Sequence, residues 1–188
     1  MKESRKLAYW EAGAALGGIL ALVGCILPSY IEPESNFTLN AFAFIFGNER
    51  SGFNGLLFFA FLLLVISLGA SLTSFFLNFL EKKNSDTLIM ILGICSGIGA
   101  LVGGSILIVS FLVCDPYGEG GSGLFGVLSN YFIIMNQKKV TLGIGTFFPF
   151  AMGLATFIVS FPSALIKAHH ADLKDKTAVK SPEEGAKQ

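Results

Sequence analysis

Charged residues are scarce in this chain and almost absent from its longest apolar runs. Only 14% of the 188 residues are Asp, Glu, Lys or Arg, whereas 53% are hydrophobic and the mean hydropathy is +0.67. A soluble domain does not need so much apolar side chain to fill its core. The excess is therefore expected to face lipid, and the charge-poor runs are predicted to be membrane spans joined by charged loops.

The sequence also lacks the residue patterns of common active sites. No H-E-x-x-H, G-x-S-x-G or P-loop motif occurs. The adjacent His169 and His170 cannot chelate one metal from a single helix face, and the three dispersed cysteines form no C-x-x-C site. The net charge of zero comes without a dense basic strip, so nucleic acid is not expected as a partner. We expect no enzyme activity, and no catalytic, cofactor or metal-binding residues.

Four apolar runs predict an all-α integral membrane protein, a bundle of four transmembrane helices. Each run has about 20 residues or more, enough to cross a hydrocarbon core of roughly 30 Å. The first is too long for the apolar region of a signal peptide, so an uncleaved span is expected. The predicted spans are Leu7 to Leu27, about Gly55 to Leu80, about Thr87 to Cys114, and Leu142 to Ile166. Around them lie an N-terminal segment 1–6, loops 28–54 and 115–141, a tight turn 81–86, and a polar tail 167–188 that is expected to be disordered.

Basic residues predict the orientation. Ten of the thirteen Lys and Arg residues belong to the N-terminus, the turn 81–86 and the tail, and cytoplasmic flanks retain positive charge during insertion. Both termini are therefore expected in the cytoplasm, with the plasma membrane as the location. The two outer loops contain the apolar stretches Ala41 to Phe46 and Leu124 to Met135. We expect these stretches to rest at the membrane interface or to cap the bundle.

The two halves of the chain, 7–80 and 87–166, resemble each other at an offset of about 86 to 89 residues. Each half reads as a span, an outer loop and a span, so the halves share one orientation. The pattern predicts tandem two-helix repeats related by a parallel pseudo-twofold axis; chance similarity between apolar helices is the alternative. The matching segments are Gly13 to Gly18 with Gly99 to Gly104, Cys25 to Tyr30 with Cys114 to Tyr117, and Phe58 to Phe61 with Phe147 to Phe150.

Small residues on the first and third spans predict close helix packing. Glycines spaced as G-x-x-x-G let two helix backbones approach each other in lipid. The two stripes are expected to meet inside one chain, and dimerisation through the same faces is the alternative. The stripe on the first span is formed by Ala14, Gly18, Ala21 and Cys25, and the stripe on the third by Ser96, Gly99, Gly103 and Ser110. The predicted packing residues are Gly13, Gly17, Gly18, Gly99, Gly103 and Gly104.

Two cysteines and one acid complete the candidates. Cys25 and Cys114 end the first and third spans at the outer side, which predicts that they are close enough for a possible disulfide. The alternative is that each is a small packing residue, and Cys95 is expected to stay a free thiol. Glu11 is the only acid inside a span, near its cytoplasmic end, where it is expected to reach headgroups or pair with a lysine.

The layout of four spans with two outer loops is similar to that of tetraspanins and claudins in topology alone. The Cys-Cys-Gly signature of tetraspanins and the loop tryptophan and cysteine pair of claudins are both absent, so no function follows from this likeness. The leading hypothesis is a non-catalytic membrane subunit or scaffold, whose partners are lipid and other subunits or further copies of itself. A small transporter or channel component is the second hypothesis, and a membrane enzyme acting on lipid is the third.

Overall fold

The computed structural model describes residues 2–32, 37–46, 53–80, 86–113 and 141–184, and most of them are helical. Four helices are long and apolar enough to cross a membrane, over Leu7–Gly24, Gly55–Phe79, Asp86–Ser110 and Ile144–Ile166. The prediction of an all-α bundle with four spans is confirmed at that level. The elements in chain order are α1 Lys2–Gly24, β1 Pro28–Glu32, β2 Phe37–Asn40, α2 Ala41–Phe46, α3 Gly55–Phe79, α4 Asp86–Val113, β3 Thr141–Leu142 and α5 Ile144–Glu184.

The ends of the spanning helices follow from local chemistry. Asn54 is the N-cap of α3, and its side chain accepts hydrogen bonds from the backbone N–H groups of Leu56 and Leu57, both at 3.1 Å. This satisfies donors that a helix N-terminus otherwise leaves without partners. At the end of α1 the chain tightens, because the N–H of Cys25 bonds to the carbonyl of Leu22 at 3.0 Å. The chain is then free to leave the helix at Pro28.

The four spanning helices form a ring. α1 packs against α3 and α5, and α4 packs against the same two helices. α1 and α4 therefore lie diagonally across the bundle and make few contacts with each other. Because consecutive spans run in opposite directions, both chain termini lie at one end, which we call the terminal end. The opposite end, which carries the strands and α2, is the cap end.

A small antiparallel sheet joins the two halves of the chain at the cap end. Its strand order is β2-β1-β3, with Ile31 opposite Thr38 of β2 and Thr141 of β3. Next to the sheet, the carbonyl of Ser29 accepts hydrogen bonds from the N–H of Gly143 at 2.9 Å and from Oγ1 of Thr146 at 2.7 Å. The start of α5 is thereby fixed to the chain that leaves α1. The sequence did not indicate this sheet, because strands this short carry little periodicity of their own.

The tail differs from the expectation. α5 continues without a break from the span to Glu184, whereas the segment after Ile166 was expected to be disordered. A helix that is already formed in the membrane removes the cost of nucleation, and each added residue contributes a further backbone hydrogen bond. Ala, Lys, Leu, Asp and Glu fill most of the extension, and several of these are good helix formers.

An apolar core lies in the cap half of the bundle. α1, α2, α3 and α4 all contribute to it, and α2 covers it from the cap end. Its buried residues are Ala21, Cys25, Ala41, Phe44, Ile45, Leu57, Ala60, Leu64 and Leu107.

Candidate functional site

Four polar residues of α3 lie on the inward face of an otherwise apolar span. Ser67, Ser71, Ser74 and Asn78 follow one another at intervals of four, three and four residues, which places them on one side of an α-helix. All four are buried, with 0 to 4% of their surface exposed. They extend from the middle of the span to its terminal end.

Glu11 of α1 meets the terminal end of this row. Its carboxylate is buried, with only 3% of the residue exposed. Oε1 accepts a hydrogen bond from Oγ of Ser74 at 2.7 Å, and Oε2 accepts one from Nδ2 of Asn78 at 2.5 Å. Hydrogen bonds to a charged acceptor are stronger than neutral ones, and this effect is larger where water is excluded. The carboxylate therefore connects α1 to α3 through two hydrogen bonds.

Ser96 of α4 meets the middle of the same row. Oγ of Ser67 donates to the backbone carbonyl of Ser96 at 2.6 Å, and the hydroxyls of Ser71 and Ser96 are hydrogen-bonded to each other. Ser96 is also buried, at 1% exposure. These bonds connect α3 with α4. We call the six residues Glu11, Ser67, Ser71, Ser74, Asn78 and Ser96 the polar seam.

Two polar residues in the middle of α5 form hydrogen bonds to the backbone of their own helix. Oγ1 of Thr156 donates to the carbonyl of Met152 at 2.9 Å, and Oγ of Ser160 donates to the carbonyl of Thr156 at 2.7 Å. Both bonds lie within α5 and follow the four-residue step by which Ser and Thr satisfy themselves inside membrane helices. The side-chain bonds described for the seam, by contrast, link different helices.

Glycines predicted on the first span lie against the second and fourth spans. A Cβ at Gly17 would come within 2.5 Å of Oγ1 of Thr156 on α5, and one at Gly13 would come within 3.4 Å of Val159 on the same helix. A Cβ at Gly18 would touch Leu68 of α3 at 3.4 Å. The first span thus turns its small residues to two different neighbours.

The glycines of the third span face the same two neighbours. A Cβ at Gly103 would lie 2.8 Å from the carbonyl oxygen of Ala60, and one at Gly99 would lie 3.3 Å from the carbonyl oxygen of Leu63, both on α3. A Cβ at Gly104 would lie 2.9 Å from the backbone of Phe150 on α5. The distances at Gly103 and Gly104 leave no room for a Cβ unless a backbone moves, and the distance at Gly99 is tight.

The expectation that the two glycine stripes meet each other is wrong. Their neighbours belong to α3 and α5, because α1 and α4 occupy diagonal positions in the ring. A stripe of small residues shows that another backbone comes close, but its spacing does not say which helix supplies that backbone.

The cysteine prediction is only partly within the described residues. Cys25 is buried, with its Sγ 3.6 Å from the carbonyl oxygen of Ala21. Cys95 is free and exposed on α4. Cys114 lies outside the described residues, as does the apolar stretch Leu124 to Met135. The disulfide between Cys25 and Cys114 stays a prediction, although the diagonal placement of α1 and α4 removes one argument for it.

The sequence reading missed most of the seam. Glu11 was expected to reach headgroups or a lysine, but its side chain turns inward to Ser74 and Asn78. The signal that could have found its partners was the helical spacing of the four polar residues on α3.

No family model matches the chain, and neither a curated protein nor a solved structure matches it.

Proposed function

We propose that the protein is a non-catalytic membrane subunit or scaffold that packs in a homo-oligomer or in a larger membrane complex. The observation that carries the proposal is the polar seam, whose hydrogen bonds join the three helices α1, α3 and α4. Polar groups used in this way fix the relative positions of helices that lipid itself does not drive together. A bundle fixed in this way offers partners a constant outer surface.

Recovery of the protein in its native lipid tests this proposal. The full chain, tagged after Gln188, is extracted with a membrane-solubilising polymer, and the mass and composition of the particles are measured. We expect particles with a stoichiometric partner or with several copies of the chain. Particles that hold a single copy and no partner, at the native expression level, would contradict the proposal.

Glu11 favours the second hypothesis, a small transporter or channel component. An ionisable residue inside a span is costly, and such residues often mark ion or proton pathways. Glu11 is buried, and the serines beyond it reach the middle of α3. The geometry of the described residues offers no comparable observation for a lipid-modifying enzyme.

A pair of variants separates the two hypotheses. Glu11→Gln keeps the shape of the side chain and removes its charge, whereas Thr73→Val changes an exposed residue beside the seam. If the seam is structural, Glu11→Gln lowers stability and leaves cation and proton flux into proteoliposomes at the level of Thr73→Val. Flux that is present in the unchanged chain and lost only in Glu11→Gln would support the transporter hypothesis.

The orientation belongs to the same proposal: both termini in the cytoplasm, and the plasma membrane as the location. The excess of Lys and Arg at the terminal end supports it. We expect an impermeant thiol reagent added to intact cells to label a cysteine at Thr38, which is exposed on β2, but not one at Lys176. Labelling at Lys176 alone would reverse the orientation.

The two-helix repeat is also proposed. A parallel twofold axis would exchange α1 with α4 and α3 with α5, and each of these pairs is diagonal in the ring. The glycines support the same exchange. Gly17 faces α5 where its equivalent Gly103 faces α3, and Gly18 faces α3 where Gly104 faces α5.

A further inference from the structure

The short helix α2 has an inner face and an outer face, although its six residues are all apolar. Ala41, Phe44 and Ile45 are buried and belong to the apolar core of the cap half. Phe46 points away from that core and has 53% of its surface exposed. Burial in the core explains why the inner face is apolar, but it does not explain why the exposed outer face is apolar as well.

Phenylalanine rings connect the outer face of α2 to α3. The ring centroid of Phe46 lies 6.0 Å from that of Phe58 and 6.0 Å from that of Phe61, and Phe42 lies 5.3 Å from Phe61. Phe53 lies 5.4 Å from Phe58 and is 61% exposed. These spacings are typical of aromatic pairs that pack edge to face or tilted.

The contacts with Phe61 indicate how deep α2 lies along the span of α3. The span on α3 has 25 residues from Gly55 to Phe79, which is about 37 Å at 1.5 Å per residue and exceeds a hydrocarbon core of roughly 30 Å. Phe61 lies about 9 Å along the helix from Gly55. If the span is centred, the rings around Phe61 therefore lie a few ångströms inside the apolar layer.

The backbone of this region is satisfied in a way that suits such a depth. At the start of α2 the N–H of Ala43 bonds to Oδ1 of Asn40 at 3.0 Å, and at its end the carbonyl of Ile45 accepts from the N–H of Asn54 at 3.3 Å. Helix ends placed at the edge of a membrane need such partners, because little water is there to replace them.

We propose that α2 inserts into the leaflet at the cap end, where Phe46 and Phe53 contact the acyl chains of the lipid. α2 contacts α3 through Phe58 and Phe61, and the same span also exposes Phe59, Leu62 and Ile66, as expected of a helix that faces lipid. Because α2 packs against a span whose outer residues are apolar and exposed, lipid is favoured as the occupant over a separate protein. The cap is then held by the bilayer on its outer face and by the core on its inner face.

Tryptophan fluorescence tests the proposal with the full chain. Trp10 is the single tryptophan, so Trp10→Phe gives a silent background into which one reporter is placed. The reporters are Phe46→Trp and, as the control on the exposed strand, Thr38→Trp. Each variant is reconstituted into phosphatidylcholine vesicles, with brominated acyl chains or with iodide on both sides of the membrane.

We expect brominated lipid to quench Phe46→Trp severalfold more strongly than Thr38→Trp, and iodide to quench Thr38→Trp more strongly. Equal iodide quenching of both reporters would show that α2 lies in water and overturn the proposal. Protection of Phe46→Trp from both quenchers would show that a protein, such as a second copy, covers α2, and would also overturn it. If Phe46→Trp fails to fold, Phe53→Trp gives the same readout.

Discussion

The two halves of the bundle are held together by different means. In the terminal half, hydrogen bonds of the polar seam join α1 to α3 and α3 to α4. In the cap half, an apolar core covered by α2 and a three-stranded sheet take that role. Both devices act between helices that lipid itself does not drive together: hydrogen bonds connect them in the terminal half, and close apolar packing connects them in the cap half.

The largest expected effect lies in the cap half. Gly103→Leu places a side chain against the carbonyl of Ala60, a backbone atom that cannot move without shifting α3. We expect a loss of about 3 kcal/mol in the free energy of unfolding, at the upper end for overpacking. Unfolding in mixed micelles titrated with denaturing detergent measures it.

The matched control is Gly69→Leu on α3. A Cβ at Gly69 meets nothing within 4 Å, so the larger side chain extends toward lipid and stability should change little. Equal losses for both variants would mean that the close approach of α4 to α3 is not what limits residue size at Gly103.

The second largest effect is expected in the terminal half, where a substitution removes the carboxylate of the seam. Glu11→Ala leaves the buried hydroxyl of Ser74 and the buried amide of Asn78 without the acceptor they use. Burying unsatisfied donors costs about 1–3 kcal/mol, and we expect a loss of about 2 kcal/mol in the same unfolding titration. Stability unchanged from that of the unmodified chain would show that water or lipid headgroups reach these donors.

A smaller effect is expected at the middle of the seam. Ser96→Ala removes the hydroxyl that bonds to Ser71 but keeps the backbone carbonyl that accepts from Ser67. A single side-chain bond between membrane helices contributes about 0.6 kcal/mol on average, so the loss should be below that of Glu11→Ala. A loss larger than that of Glu11→Ala would show that Ser96, and not Glu11, contributes most to the stability of the seam.

The sequence predicted where the spans lie, but it did not predict which helices and strands contact each other. Hydropathy is a local property, so the ends of α3 and α4 were predicted to within one residue where the structure describes them. The pairing of β1 with β3 joins segments that are far apart in the chain, and no local pattern encodes it. The glycines were found by spacing, but their partners depend on the order of helices around the ring, which spacing does not contain.

The polar seam lies between these two cases. The row on α3 was visible as four polar residues at helical spacing, and Glu11 was visible as the only acid inside a predicted span. What joined them was the inward rotation of α1, which depends on packing against both α3 and α5. The polar row and Glu11 could each be predicted from the sequence, but the hydrogen bonds between them could not.

The coupling energy between Glu11 and Asn78 tests most directly whether a seam between helices holds the terminal half. Stability is measured for Glu11→Ala, Asn78→Ala and the double variant, with Glu11→Ala and Thr73→Val as the control pair, since Thr73 is exposed one residue from Ser74. If the seam holds the terminal half, Glu11 and Asn78 are coupled by about 0.6–1.7 kcal/mol and the effects of the control pair are additive. Additive effects in both pairs would contradict it, because Glu11 would then not be bound to α3.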